Sequence, residues 1–294
     1  MTAAEEGVLL LCCALGDPHA QPLTAAQFRD LGRLIRSRGL SGDSLSQLTA
    51  ASLRAFGVAP TLADQILRLL DRQARLSAYL RTAADRGIYP LTRLNAAYPA
   101  RLRAKAGFLS PPVLFCRGDS SLFAKPSVAV VGSRRLRPEN AAFARQAGTL
   151  AAQEGFTLVS GGAVGADQEA QSACLAHGGN AVIFPADALS SHPALEHVLY
   201  CSAGGYEYGF STRRALARNG FIHMQGDRTL VAQCSLEMGG SWAGSVENLR
   251  HGYSELFVFD DGSPGARALM ARGATGVSRL ESINALAPGQ LRLL

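Results

Sequence analysis

Ser127-Val128-Ala129-Val130-Val131-Gly132-Ser133-Arg134-Arg135 is the stretch whose reading decides the fold. Val128 to Val131 is an unbroken apolar run, which suits a strand buried on both faces. It stops at a glycine, a hydroxyl and two guanidinium groups, the composition of a turn that can meet an anion at a strand end. The pattern returns at Thr157-Leu158-Val159-Ser160-Gly161-Gly162-Ala163-Val164-Gly165-Ala166-Asp167, where a short strand enters a three-glycine loop. Further strands are expected at 180–184, 229–234 and 256–259, and helices at 138–154 and 167–177. Such alternation predicts an α/β fold with a Rossmann-like, doubly wound, mostly parallel sheet.

Residues 1–87 read as an all-helical domain. Thr24 and Gln27 form a capping box, after which Phe28, Leu31, Leu34 and Ile35 share one helical face and Gly39 closes the helix. A shorter helix is expected at 49–56 and ends at Gly57. Thr61 with Asp64 opens a long helix, with Ile66, Leu67, Leu70 and Leu76 inward, until Gly87. Residues 53–66 look like a SAM or helix-hairpin-helix unit, whose glycine turn brings backbone amides to a phosphate. Ala59 stands where the second turn glycine would be and Pro60 follows it, so a plain helical bundle with no ligand is the preferred reading of this segment. Residues 88–126 read as a connector punctuated by Pro90, Pro99, Pro111, Pro112 and Pro126, with a short strand at 113–116. The Rossmann-like domain then covers 127–294.

The net charge of +6 comes almost entirely from arginine, since Lys105 and Lys125 are the only lysines. A basic balance suits a polyanionic partner. No apolar run approaches the ~20 residues that cross a bilayer, so no membrane partner is expected. The apolar stretch 8–15 follows Glu5 and Glu6 without a basic region, which marks a buried first helix and not a secretion signal. The six cysteines form no CxxC pair and read as reduced thiols of a cytoplasmic protein. The histidines lack ligand spacing, so no metal is expected. Neither GxGxxG nor GxxxxGK[ST] occurs, so no cofactor is expected.

In an open parallel sheet, ligands bind beyond the carboxyl ends of the strands. Three segments are expected to converge there. In the first, Gly132 permits a tight turn, Ser133 can donate to an anion and Arg134 offers a planar fork to phosphate. In the second, Ser160, Gly161, Gly162 and Gly165 suit a cradle of backbone N–H groups, and Asp167 caps the following helix or fixes the loop. In the third, residues 213–227, Arg213, Arg214, Arg218 and Asn219 precede the apolar Phe221-Ile222. No catalytic residue is assigned.

Together these segments resemble the DprA/Smf DNA-processing family. The resemblance adds Asp227, eight residues after Asn219, and Gly239-Gly240-Ser241-Trp242-Ala243-Gly244. It also takes in Tyr98-Pro99-Ala100-Arg101-Leu102, and Pro112-Val113-Leu114-Phe115 with Arg117-Gly118-Asp119. It implies a non-enzymatic, cytoplasmic, homodimeric protein that binds single-stranded DNA and loads a RecA-type recombinase during natural transformation. Under it, Arg134 and Arg218 contact phosphates, while Gly132, Ser133, Ser160, Gly161, Gly162, Gly165 and Asn219 line the pocket. The chain departs from the family at Val164 and Gly220, where a cation is usual, at Gln171 in place of His, and at Gln233 in place of an acid. No C-terminal winged helix is expected, and the chain is identified as a divergent member.

Two rival readings use the same fold. Residues 239–247 imitate the GGxGTxxE loop of nucleoside-monophosphate phosphoribohydrolases, but Glu247 arrives one position early. One residue on a helix turns a carboxylate by about 100°. A nucleotide-binding sensor without chemistry is the other. Trp242 reads as packing between helix and sheet, Tyr206 and Tyr208 as a mobile or stacking loop, and His223 as a core residue.

Overall fold

The computed structural model describes residues 1–286. Residues 287–294, the end of the expected 127–294 domain, lie outside the described residues. The chain opens with α1 (Ala3–Cys12), α2 (Ala25–Ser37), α3 (Ala50–Ala55), α4 (Pro60–Leu70) and α5 (Gln73–Ala84). It continues with β1 (Tyr89–Thr92), α6 (Ala100–Ala106), β2 (Val113–Arg117), β3 (Ser127–Val131), α7 (Pro138–Gln153), β4 (Thr157–Ser160) and α8 (Ala166–Ala176). After β5 (Asn180–Ile183) and β6 (Val198–Ala203) come α9 (Thr212–Gln225), β7 (Arg228–Val231), α10 (Gly239–His251), β8 (Glu255–Phe259), α11 (Pro264–Met270) and β9 (Thr275–Val277).

The described strands form one sheet in the order β1-β2-β6-β5-β4-β3-β7-β8-β9. From β6 across to β9 every pair is parallel, whereas β1 and β2 add an antiparallel edge. The chain lays β4, β5 and β6 to one side of β3, then returns to lay β7, β8 and β9 on the other. This reversal leaves a crevice at the carboxyl ends of β3 and β7, the switch point of a doubly wound sheet.

Strand alternation divides the core in two. Val128 and Val130 point into a layer with Phe143, Ala147 and Ala170 of α7 and α8, joined by Leu9, Leu10 and Leu76 from the N-terminal helices. Ala129 and Val131 point the other way, toward Ile222, Trp242 and Ala266 of α9, α10 and α11. The fully buried β3 thus carries apolar residues on both faces.

The long helix expected up to Gly87 is two helices, α4 and α5, broken at Asp71-Arg72. Tertiary bonding explains the break. Arg72 donates to the carbonyls of Leu69 (3.2 Å), Ala14 (3.3 Å) and Cys13 (2.9 Å), and also to Leu10. The guanidinium thereby serves orphan carbonyls at the end of α1. The capping box at Thr24 forms as expected, but α4 opens on Pro60 rather than on a Thr61 cap.

Residues 88–126, read as a connector with one strand, supply β1 and β2 to the sheet with α6 between them. Their prolines sit where no ladder N–H is needed. Pro90 lies in the edge strand β1, Pro99 precedes α6, and Pro111-Pro112 lead into β2. Arg101 on α6 clamps Asp227 with two bonds of 2.6 and 2.8 Å, and Asp227 also accepts the Ser127 N–H at 2.9 Å. This ion pair ties α6 to the start of β3.

The Arg72 contacts generate a prediction. Arg72→Ala should lower stability to urea by about 2–3 kcal/mol, because charged hydrogen bonds to partly buried carbonyls are lost. The exposed Arg75→Ala should stay within about 0.5 kcal/mol of wild type.

Candidate nucleic-acid interface

The crevice at the switch point is a cavity of about 520 Å3, within the range typical of ligand pockets. The turn after β3 supplies Gly132, Ser133 and Arg134; α9 supplies Arg218 and Asn219; the segment from β7 into α10 supplies Ser235, Met238 and Ser241. Asp167 at the start of α8 forms the floor. Segments separated by up to a hundred residues in sequence therefore share one wall.

The three-glycine loop behaves differently from the expected cradle. Ser160, Gly161, Gly162 and Gly165 do not line the cavity. The Asp167 carboxylate accepts the N–H groups of Gly161 (2.9 Å) and Ala163 (3.3 Å), while Gly162 N–H turns to Ser160 Oγ at 3.3 Å. Those amides are spent on a carboxylate of the protein itself. Asp167 is thus the loop-fixing residue, and the loop shapes the site from beneath. A β-carbon at Gly161 would overlap Nη1 of Arg218, and one at Gly165 (φ +94°) would overlap the carbonyl of Ser133. Glycine at these positions lets the guanidinium and the first turn close onto the loop.

Arg218 is the most unusual group in the crevice. Its Nε and Nη1 are buried and lack any hydrogen-bond partner. Burial pushes its pKa down, opposed by the attraction of Asp167 and Asp187. Burial in turn pushes Asp167 up, opposed by Arg218 and by the loop N–H groups. The two charges stabilise each other without a direct hydrogen bond, so the fork of Arg218 keeps donor capacity for an incoming anion. Arg134 is exposed at the mouth and forms no ion pair among the described residues.

Asn219 donates to the Gly240 carbonyl at 3.3 Å, which fixes α9 against the first turn of α10. His223, one helical turn further on, also lines the cavity. Its Nδ1 meets Thr229 Oγ1 at 3.3 Å, and burial pushes its pKa down to about 4, so the imidazole is neutral at physiological pH. Arg213 and Arg214 do not line the cavity; Arg214 instead donates to Gly209 O at 2.6 Å and covers the Tyr208 ring at 4.8 Å.

Sequence reasoning missed the apolar rim. Phe210, Leu216 and Met238 line the mouth and are 58%, 48% and 69% exposed. Residues 212, 215, 216, 219, 222 and 223 line the cavity at the three-and-four spacing of one helix face. Reading 212–225 as a helix would have exposed that signal. The tyrosine loop is not free: Tyr206 is buried against Tyr79 (4.6 Å) and Phe115 (5.6 Å), and its hydroxyl donates to Tyr79 O. Trp242 is buried in the core with Arg272 over its ring.

The DNA recombination-mediator protein A family model matches residues 90–286. The chain belongs to that family. Among solved structures, DNA processing protein A from Streptococcus pneumoniae is 22% identical with a TM-score of 0.73, covering 94% of this chain and 95% of its own. The Helicobacter pylori protein, described for its single-stranded DNA binding mode, is 24% identical with a TM-score of 0.56, covering 66% of this chain and 92% of its own. These likenesses agree with the fold of this family member. No curated protein sequence matches the chain. Among the described residues no metal-ligating cluster occurs, and no helix is long and apolar enough to cross a membrane.

The buried His223 carries a pH prediction. Its folded pKa lies below the unfolded value near 6.5, so the unfolded chain binds the extra proton first and stability falls as pH drops from about 6.5 to 4. The loss attributable to this group reaches about 3 kcal/mol at the low end. His223→Gln should flatten the stability profile across that window in urea titrations at stepped pH. An unchanged slope would mean that His223 is protonated in the fold.

Proposed function

We propose that this family member binds single-stranded DNA in the switch-point crevice and performs no chemistry on it. The observation that carries the reading is the buried Arg218 fork, with two N–H groups unpartnered beside the cavity floor. A phosphate would supply the missing acceptors, and Arg134 at the mouth would take a second. Phe210, Leu216 and Met238 offer apolar surface to unstacked bases, which a duplex would not present. The further expectations are homodimers in the cytoplasm that pass DNA to a RecA-type recombinase. They rest on the family resemblance.

A non-catalytic role is supported by the carboxylates. Asp167 is the only one that lines the cavity among the described residues, and the loop amides occupy it. Glu247, the hydrolase candidate, is exposed and lies outside the lining, near Tyr253.

Oligothymidylates of increasing length, a matched duplex and a mononucleotide should be titrated by fluorescence anisotropy across a salt series. Affinity should rise from the mononucleotide to a ~10-mer, with log K falling by roughly 0.7 per phosphate per decade of salt. Arg134→Ala and Arg218→Ala should each weaken binding about tenfold and flatten the salt slope. Saturation by the mononucleotide with no gain from length would favour the sensor. Glu247-dependent release of free base from a nucleoside monophosphate would favour the hydrolase.

A further inference from the structure

A second cavity, of about 410 Å3, opens on a different part of the molecule, and none of its lining residues belongs to the crevice. It lies between α2, the 3-10 turn Gly42–Gln47 and the segment that joins β1 to β2. Its walls are apolar, with Phe28, Leu31 and Ile35 from one face of α2 and Leu45 from the turn. At its edge Leu94 and Phe108 are 57% and 54% exposed, although they are large hydrophobic side chains.

The remainder of the rim is cationic. Arg29 and Arg36 come from α2, and Arg93 and Arg103 from the facing segment; no carboxylate lines the cavity among the described residues. Arg29 is paired with Asp30 at 2.9 Å, whereas Arg36, Arg93 and Arg103 form no ion pair among the described residues. Two of the guanidinium groups are held in place by backbone carbonyls. Arg93 donates to Gly107 O at 3.1 Å, and Arg103 donates to Arg93 O and Asn95 O at 3.0 and 3.2 Å.

An apolar slot with arginines at its rim does not suit a polynucleotide, because its interior offers phosphates nothing. A small amphiphile would fill the slot but leave Leu94 and Phe108 in water. A helix laid across the mouth would cover both, seat an apolar anchor between α2 and the turn, and set carboxylates against the arginines. We propose that this cavity docks an acidic amphipathic helix of a partner protein. The proposal stands apart from the DNA reading, since the two sites share no residue.

Gly32 provides a test that leaves folding intact. It lines the cavity on α2, and a β-carbon there would meet only the Arg36 guanidinium, at 3.9 Å. Gly32→Leu fills the slot while improving helix propensity. A displayed random library of ~16-residue peptides, long enough for an i, i+3, i+7 anchor set, should be selected on the full chain. The enriched peptides should be acidic and amphipathic and bind less tightly in high salt. Gly32→Leu and the double variant Arg36→Glu, Arg93→Glu should each weaken them at least tenfold, with the thermal midpoint of Gly32→Leu unchanged or raised. Oligothymidylate binding by both variants should match wild type, whether or not the crevice reading holds. The proposal is overturned if nothing enriches, if the enriched peptides are neutral or basic, or if Gly32→Leu binds them normally. Saturable binding of dodecanoate in the slot, without peptide binding, would overturn it too by assigning the site to a lipid anion.

Discussion

The site depends on one buried carboxylate. Asp167 draws the N–H groups of Gly161 and Ala163 inward and faces the guanidinium of Arg218 across the cavity floor. Withdrawing either charge would leave the other buried and uncompensated, which is far more damaging than losing a surface pair. The same constraint explains the loop composition, since any side chain at Gly161 would evict the guanidinium. It also explains how Arg218, a half-buried residue, keeps two buried nitrogens without an acceptor. The carboxylate offsets its charge without bonding to it, so Nε and Nη1 are left without an acceptor in the protein.

Sheet topology places that pair where it can be reached. Because the strand order reverses at β3, the turns after β3 and β7 leave a crevice between them. α9 then leans across the opening, presenting Arg218, Asn219 and Ile222 on one face and leaving Phe210 and Leu216 at the lip. The proposed mode of binding uses both parts of this crevice: the Arg218 and Arg134 guanidinium groups would take phosphate, and the apolar rim would take the base. Such a mode would suit an unpaired strand, since stacked and paired bases do not present their faces.

The parallel core was legible because β3 and β4 are short apolar runs ending in glycine turns, a pattern that leaves little choice of element. The edges were not. Val198–Ala203 follows a loop containing Pro193 and His197 and carries no turn signal of its own, so β6 is visible only through its partners β2 and β5. Tyr89–Thr92 contains Pro90, which argues against a strand unless the strand is known to be an edge. The helix break at Arg72 depends on carbonyls near the other end of the helical region, a tertiary effect that periodicity cannot carry. Within the site, Gly132, Ser133, Arg134, Arg218 and Asn219, singled out by residue type, by their place beside predicted strands and by the family resemblance, line one cavity. The three-glycine loop reads as a cradle for an external anion, but a composition that can bind an external anion can equally bind an internal one. Asp167, a few residues downstream, takes the N–H groups of Gly161 and Ala163.

The central claim is that the open fork of Arg218 receives a phosphate. The most direct measurement is a crystal structure of the chain with a short oligothymidylate. The account predicts a phosphate oxygen within hydrogen-bond distance of the Arg218 guanidinium, with Asp167 still holding Gly161 and Ala163. DNA bound on another face, with Arg218 left as it is and the crevice empty, would contradict it.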